Sequence, residues 1–270
     1  MSKVGTIRIG TSGWVYKHWR HVFYPEKLPA RQWFDYYQRY FNTVEINYSF
    51  YRLPPPETFV NWERQAAPGF LYAVKASQFL THHKKLKDPE EPLDNILTRV
   101  RLLGSHHGPI LYQLPPRWRC DAQRLRDFIE LLPNDLFHVF EFRDPSWYCD
   151  EVERLLAKTR MSLCIHDSRA APSPLWITGP IIYLRFHSPV DPKYAGRYPR
   201  QHLARWARRI EDMRQAGHDI YVYFNNDGGG HAVTNARELQ TMLGAAPDNP
   251  EYTNELELFP LKQVDPRATA

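Results

Sequence analysis

The repeating unit of this chain is clearest in one stretch near its end, Ile220-Tyr-Val-Tyr-Phe-Asn-Asn-Asp-Gly-Gly-Gly230. Its first half is β-branched and aromatic, as is typical of a buried strand, and it ends in polar residues and three glycines. Ala232, Ala236 and Leu239 then lie on one face of a predicted helix. A polar strand end that turns into a helix N-terminus is suited to hold an anion, although a run of glycines is equally typical of a plain turn.

The same unit recurs eight times along the chain. Besides the stretch quoted above, apolar segments predict strands at 6–10, 43–51, 70–75, 109–113, 138–143, 161–166 and 181–187. Helical spacing predicts helices at about 33–41, 58–65, 93–103, 122–132, 147–158, 201–215 and after residue 230. A Pro-rich connection without a clear helix follows the sixth strand.

Eight such units predict an α/β fold, a TIM-type (β/α)8 barrel in a single domain. We expect the barrel to span residues 1–245 and residues 246–270 to form a tail on its surface. A doubly wound open sheet is the alternative, but the regular repetition and the lack of a GxGxxG motif favour closure.

Composition limits the class of protein. With 43% hydrophobic and 14% aromatic residues, the chain of 270 residues is predicted to be globular. A net charge of +5 permits anionic partners without requiring nucleic acid, because basic and acidic residues are interleaved. Three widely spaced cysteines predict reduced thiols. Without a signal segment or a run of membrane-spanning length, we expect a soluble, cytoplasmic protein with no membrane partner. The sequence predicts no oligomeric state.

Side chains of a barrel strand alternate between the interior and the helix-covered outside, and ligand sites lie at the carboxyl ends of the strands. On the second strand Val44 and Ile46 are interpreted as outward-facing, which places Glu45 and Asn47 inside. The same alternation predicts more inward polar residues on the other strands: Lys75, Gln113, Glu141, Arg143, Arg185, Asn225, Asp227 and either His166 or Asp167.

Three of these residues are predicted to be catalytic: Glu45, Lys75 and Glu141. Either glutamate would act as general base, and Lys75 as acid, electrophile or Schiff-base nucleophile, although the glutamates are expected to keep its amine protonated. A structural network of Glu45–Lys75 and Glu141–Arg143 ion pairs is the alternative. The predicted substrate-binding residues lie at strand ends and in aromatic loops: Ser12, Trp14, Asn47, Tyr51, His82, Gln113, Arg143, Asp167, Arg185, Asn225, Asn226 and Asp227.

An anion clamp is the binding site that these residues favour. Arg185, with Lys193 and Arg197 from the seventh loop, is predicted to join the Gly228–Gly230 turn around a phosphate or carboxylate. Barrels often bind phosphate after their seventh and eighth strands. The expected partner is therefore a small anionic compound, such as a phosphorylated one.

Other chemistries have less support in the sequence. No HExxH, CxxC or P-loop motif occurs, and Gly10-Thr-Ser-Gly-Trp14 lacks the last glycine of a nucleophile elbow. A divalent metal would find an oxygen-rich set in Glu45, Glu141, His166 and Asp167, but the basic residues among them argue against it. We therefore predict no metal ligands and no cofactor.

Several ordered blocks resemble a known family. They are Gly10-Thr-Ser-Gly-Trp14 with Phe23-Tyr-Pro25, Val44-Glu-Ile-Asn47 with Phe50-Tyr-Arg52, Val74-Lys-Ala76 with Thr81-His82, Gln113-Leu-Pro-Pro116, Glu141-Phe-Arg143 with Ser146-Trp147, Tyr183-Leu-Arg-Phe-His187, and Tyr223-Phe-Asn-Asn-Asp227 with Asn235-Ala236. Over about residues 5–245 the chain resembles the YecE-like proteins, which share a domain of unknown function. The resemblance implies a TIM-type barrel and no particular activity.

Three hypotheses for the function follow. The favoured one is an enzyme that acts on a small anionic compound by acid–base chemistry at the carboxyl rim of the barrel. Aromatic loops beside basic groups also suit a nucleobase, so a nucleic-acid-directed protein, with or without a metal, is the second. A ligand sensor without catalysis is the third.

Overall fold

Eight parallel strands form the centre of the fold in the computed structural model, which describes residues 3–168, 172–190 and 196–246. The strands are β1 Ile7–Thr11, β2 Thr43–Ile46, β3 Leu71–Lys75, β4 His107–Gln113, β5 His138–Glu141, β6 Ser162–Ser168, β7 Ile181–Ser188 and β8 Asp219–Phe224. The described α-helices are α1 Trp33–Tyr37, α2 Tyr48–Tyr51, α3 Pro56–Gln65, α4 Glu90–Arg101, α5 Ala122–Glu130, α6 Asp150–Thr159, α7 Arg200–Gln215 and α8 His231–Leu243.

The strands follow one another around a nearly closed barrel. From β2 to β8 each strand pairs in parallel with the next, and β8 pairs with β1. Between β1 and β2 a single bridge joins Ser12 to Glu45. Gly10 lies at this seam, where a Cβ atom would be 2.2 Å from the carbonyl oxygen of Thr43. The predicted TIM-type barrel is therefore confirmed, and the open-sheet alternative is wrong.

Two apolar layers hold the barrel together. Inside it, side chains from six neighbouring strands pack on one another: Ala73, Leu111, Val139, Cys164, Ile181, Tyr183, Tyr221 and Tyr223. A larger layer lies between the strands and the helices. In α4, for example, the buried residues Leu93, Ile96, Leu97 and Val100 recur at helical spacing. Burying each such side chain stabilises the fold by about 1.5 to 3 kcal/mol.

The second strand ends earlier than its sequence pattern predicts. Apolar and polar residues alternate from 43 to 51, but the strand stops at Ile46 and α2 follows. The hydroxyl of Ser49 donates to the carbonyl oxygen of Lys75 at 2.6 Å, and it lies 3.2 Å from that of Ile46. These side-chain bonds turn the backbone over the end of β3 and carry the next aromatic side chains to the barrel mouth.

Two further expectations concern the ends of the chain and membranes. The predicted tail, 246–270, lies outside the described residues apart from residue 246, and it stays a prediction. None of the helices in the described part of the chain is long and apolar enough to cross a membrane.

Candidate functional site

The alternation of side chains along β6 settles which of its polar residues faces the interior. Cys164 belongs to the interior layer, and His166, two residues later, lies on the same face. Asp167 points outward to α7, where its Oδ2 accepts hydrogen bonds from Nε2 of His202 and Nε1 of Trp206, both at 2.6 Å. Asp167 therefore lies in the outer layer, contrary to its expected place among the substrate-binding residues.

A buried guanidinium joins two carboxylates at the centre of the barrel mouth. Arg185 donates from Nη2 to Oε1 of Glu45 at 2.7 Å and from Nη1 to Oε2 of Glu141 at 2.5 Å. None of the three side chains is exposed. The predicted Glu45–Lys75 ion pair is thus wrong, because Arg185 takes the place expected for the lysine.

Hydroxyl groups occupy the remaining acceptor positions of Glu45. The hydroxyl of Ser12 donates to Oε1 at 2.7 Å, and the phenol of Tyr183 donates to Oε2 at 2.6 Å. With Arg185, three donors hold this carboxylate, two from β7 and one from the residue that follows β1. Glu45 therefore joins the seam between β1 and β2 to the opposite side of the barrel.

Glu141 has still more partners. It accepts from Nε2 of Gln113 at 2.9 Å, and it forms the predicted ion pair with Arg143. Nε2 of His187 lies 3.1 Å from its Oε1. Burial opposes ionisation, but the charges of Arg143 and Arg185, together with His187, outweigh it and hold the pKa of Glu141 well below its ordinary value. A carboxylate with so low a proton affinity is a poor general base near neutral pH.

Lys75, the last residue of β3, is the exception to this pairing. Its side chain is buried at 8% exposure, and Nζ has no hydrogen bond or ion pair with any described residue. Nζ instead lies 3.8 Å from the ring centroid of Phe50. Burial and the charge of Arg185 outweigh the attraction of Glu141 and Glu45, and they lower the pKa of Lys75 from 10.5 to about 7. The glutamates therefore do not keep this amine fully protonated at pH 7, contrary to expectation.

The surroundings of Lys75 are aromatic and polar. His82 packs edge-on against Phe50, with ring centroids 4.9 Å apart, and burial lowers its pKa to about 4, so that it is neutral at pH 7. Asn47 follows β2, and continuing the register of β2 with β3 places it beside Lys75. Its Oδ1 is buried and has no hydrogen-bond partner in the described part of the chain.

Other predicted binding residues lie farther out or support neighbouring groups. Trp14 packs against Phe34 and Trp62 in the outer layer, at 5.4 and 5.9 Å between ring centroids. Tyr51 is 70% exposed at the rim. Asn225 faces the interior, and its Nδ2 lies 3.2 Å from Nδ1 of His187.

The predicted anion clamp is not assembled among the described residues. Both terminal nitrogens of Arg185 bind carboxylates, Arg197 pairs with Glu238, and Lys193 lies outside the described residues. Around the glycine turn, Asn226 donates to Asn235 and to the carbonyl of Gly196, while Asp227 accepts from Nε1 of Trp19. Val22 closes over Gly230, where a Cβ atom would meet it at 2.7 Å.

The four residues considered as an alternative metal site, Glu45, Glu141, His166 and Asp167, do not converge either. In residues 3–168, 172–190 and 196–246, no group of three or more His, Cys, Asp and Glu side chains is arranged to hold a metal ion. Glu45 and Glu141 are held by Arg185, and Asp167 faces the outer layer.

Three polar side chains at the barrel mouth were not among the residues predicted from the sequence: His187, Tyr183 and Tyr148. His187 lies two residues after Arg185 on β7, so the same alternation predicts it to face inward. Tyr183, two residues before, follows from the same rule. Tyr148 donates to the carbonyl of Phe142 and lies 2.9 Å from Nε2 of His166, but it belongs to an irregular loop whose sequence carries no periodic signal.

Comparison with known proteins agrees with the fold. The family model described as "Protein of unknown function DUF72" matches residues 8–257. The UPF0759 protein YunF of Bacillus subtilis is 26% identical over 290 residues, covering 94% of this chain and 100% of the relative. The UPF0759 protein YecE of Escherichia coli strain K12 is 30% identical over 142 residues, 49% of this chain and 51% of the relative.

Solved structures give the same result. A DUF72 family protein from Thermotoga maritima superposes with a TM-score of 0.80 at 26% identity, covering 88% of this chain and 99% of that one. A DUF72 family protein from Enterococcus faecalis superposes with a TM-score of 0.77 at 22% identity, covering 96% and 100%, which is a likeness of fold. The resemblance to YecE-like proteins is confirmed, and the chain belongs to the DUF72 family.

Proposed function

We propose that this protein is an enzyme that acts on a small anionic compound by acid–base chemistry at the barrel mouth, with Lys75 as the group that takes and returns the proton. One observation carries the proposal. Lys75 is a buried amine at the carboxyl end of a barrel strand, without a hydrogen-bonding partner in the described residues, and with a pKa of about 7. General bases act most effectively when their pKa lies near the working pH.

The charges around Lys75 support an anionic substrate. Two carboxylates, Glu45 and Glu141, and two guanidiniums, Arg143 and Arg185, form a network whose formal charges compensate one another. A proton on Lys75 therefore adds an uncompensated positive charge, which a bound anion would stabilise. Arg143 has 11% of its side chain exposed, so it is the guanidinium of the pair that a ligand would reach.

The proton transfer assigns distinct roles to these residues. Neutral Lys75 would remove a proton from a substrate carbon next to an electron-withdrawing group, and the electron pair would stay on the substrate as an anion. The ammonium formed on Nζ and the charge of Arg143 would stabilise that anion. Glu141 and Arg185 would hold the site in place, because the low pKa of Glu141 makes it unsuited to accept the proton.

The first test is a thermal-shift screen of the purified protein against small carboxylates, phosphate esters and divalent metals at pH 6 and pH 9. A ligand at a hundred times its dissociation constant adds about 2.7 kcal/mol to the free energy of unfolding. We expect anions to stabilise the wild type more at pH 6 than at pH 9, because Lys75 is protonated below pH 7. Stabilisation should be lost in Lys75→Met and kept in the matched surface variant Lys158→Met.

The second test separates catalysis from binding. Compounds that stabilise the protein are incubated with it in D2O, and exchange of carbon-bound hydrogen for deuterium is followed by NMR. Exchange that requires Lys75 supports the enzyme. Binding without exchange or conversion of any compound favours a ligand sensor, and stabilisation by anions that is equal in wild type and Lys75→Met overturns the role of Lys75.

A further inference from the structure

We infer that the substrate is a small carbonyl compound and that Lys75 forms an imine with its carbonyl carbon. This inference rests on the proposed function for the amine, the barrel mouth and the anionic substrate, but it gives Lys75 a covalent role in place of the base role, because a protonated imine nitrogen cannot accept the substrate proton. It goes further by naming the reacting group of the substrate and a covalent bond to the protein.

The backbone places the amine in a fixed position. Lys75 ends β3, where Val74 lies in register with both Ile46 of β2 and Ile110 of β4. Its carbonyl oxygen accepts the hydroxyl of Ser49 at 2.6 Å, which ties it to the turn after β2. The side chain therefore starts from a rigid strand end, as is favourable for a group that must meet a substrate atom in one geometry.

The charged and titratable groups that face Lys75 come from each neighbouring element. The acidic ones are Glu45 from β2 and Glu141 from β5, and both are held by Arg185 of β7. Arg143 and His82 complete the set, and His82 is neutral at pH 7. No carboxylate lies within ion-pair distance of Nζ in the part of the chain that the structure describes, so no partner fixes a proton on it.

An unprotonated amine has the lone pair that attack on a carbonyl carbon requires. With a pKa of about 7, roughly half of the Lys75 amine is neutral at pH 7. For an ordinary lysine the neutral fraction at that pH is of the order of one in a thousand.

Phe50 fits the product of this attack. An imine of lysine is protonated and positively charged on nitrogen, and the ring face 3.8 Å from Nζ stabilises such a charge. The ring is itself buried and packs against His82. It therefore also limits the approach of water, which would hydrolyse the imine.

The step balances without any further reactant. The nitrogen lone pair of Lys75 forms a bond to the carbonyl carbon, while the carbonyl π electrons move to oxygen, which takes a proton. The oxygen then leaves as water after accepting a second proton, and the nitrogen electrons form the carbon–nitrogen double bond. One amine proton and one solvent proton are used, and a protonated imine and one water result.

Reductive trapping tests this bond directly. The full-length wild-type protein is treated at pH 7 with cyanoborohydride and either glyoxylate, an anionic aldehyde, or propionaldehyde, a neutral one. Peptide mass spectrometry then locates the alkylated lysines. We expect glyoxylate to label Lys75 at least tenfold faster than the exposed residues Lys17 and Lys158, even though Lys75 is far less accessible. The advantage should shrink at pH 10, where the exposed lysines are also partly neutral.

Controls and outcomes separate this inference from the proposed function. Lys75→Arg should abolish the label at position 75 and leave the label on Lys17 and Lys158 unchanged. Because the labelling is measured on the wild type, the folding of a variant does not decide the result. Equal labelling rates for Lys75 and the exposed lysines would overturn the imine. If anion binding and deuterium exchange still required Lys75, the acid–base proposal would stand; if they did not, both would fall.

Discussion

The guanidinium of Arg185 binds Oε2 of Glu141 through Nη1 at 2.5 Å, and neither side chain has exposed surface. The two residues lie on β7 and β5, with one strand between them. The other terminal nitrogen of Arg185, Nη2, binds Glu45 on β2. This buried guanidinium thus ties together strands from opposite sides of the barrel. Both carboxylates are thereby engaged, and neither forms an ion pair with Lys75, which has no such partner among the described residues.

Breaking this pair should be costly. Glu141→Gln removes the carboxylate that pairs with Arg143 and one of the two carboxylates that pair with the buried Arg185. Loss of one partner of a buried ion pair typically costs about 3 to 5 kcal/mol. Urea denaturation would measure the change, with Glu151→Gln as the matched control, because Glu151 pairs with Arg126 at the surface. A Glu141→Gln variant as stable as Glu151→Gln would contradict a structural role for the buried pair.

Replacing Lys75 should make the stability of the protein less dependent on pH. The pKa of this amine falls from 10.5 in the unfolded chain to about 7 in the folded one. Between these values the unfolded state binds the extra proton, so the contribution of Lys75 to stability rises with pH. Below pH 7 both states are protonated, and the folded state carries the full cost of the buried charge, about 5 kcal/mol.

Lys75→Met should therefore be more stable than the wild type at pH 6, and this advantage should fall by about 3 kcal/mol between pH 6 and pH 9.5. Urea denaturation of both proteins at the two pH values measures the difference, in which other titrating groups cancel. The exposed-site variant Lys158→Met should show no such trend. A constant difference between Lys75→Met and wild type at both pH values would refute the lowered pKa.

Binding of an anion that mimics the deprotonated substrate should draw a proton onto the protein. At pH 8 most of the Lys75 amine is neutral, and a bound anion would raise its pKa. Isothermal titration in two buffers of different ionisation enthalpy should reveal uptake that approaches one proton for each ligand bound. Lys75→Met should bind more weakly and take up none. If uptake were the same in the variant, another group would carry the proton.

The barrel and its inward-facing residues follow from local patterns in the sequence. Strand alternation has a period of two, so the position of Val44 and Ile46 on the outside was enough to place Glu45 inside. The same rule, applied once more along β7, would have found His187. The ending of β2 at Ile46 did not follow, because α2 begins within the alternating pattern, where the hydroxyl of Ser49 contacts the carbonyl oxygens of Ile46 and Lys75.

The ion pairs inside the barrel could not be predicted from strand alternation. Glu45 and Arg185 lie 140 residues apart in the chain, and their contact depends on how strand tilt and stagger close the barrel. The predicted partner of Glu45 was Lys75, on the adjacent strand. Burial and the charge of Arg185 lower the pKa of Lys75, whereas the nearby acids alone would raise it. The chemical character of the site thus depends on long-range geometry.

Replacing Asp167 should lower the stability of the protein without affecting the ligand site at the barrel mouth. Its carboxylate accepts short hydrogen bonds from His202 and Trp206 of α7, and these donors outweigh burial and lower its pKa. Asp167→Asn replaces a charged acceptor by a neutral one and should cost about 1 to 3 kcal/mol of unfolding free energy. Urea denaturation at pH 7 measures this loss.

Ligand binding should not follow this loss of stability. Because Asp167 faces α7, Asp167→Asn should leave the dissociation constant of any Lys75-dependent anion unchanged at a temperature where the variant is fully folded. Asn47→Ala, which removes the buried, unpartnered Oδ1 of the residue that continues the register opposite Lys75, should weaken that binding instead. Direct titration of both variants compares the two positions. Weaker binding in Asp167→Asn together with normal binding in Asn47→Ala would place the ligand on the outer side of β6 and would remove it from Lys75.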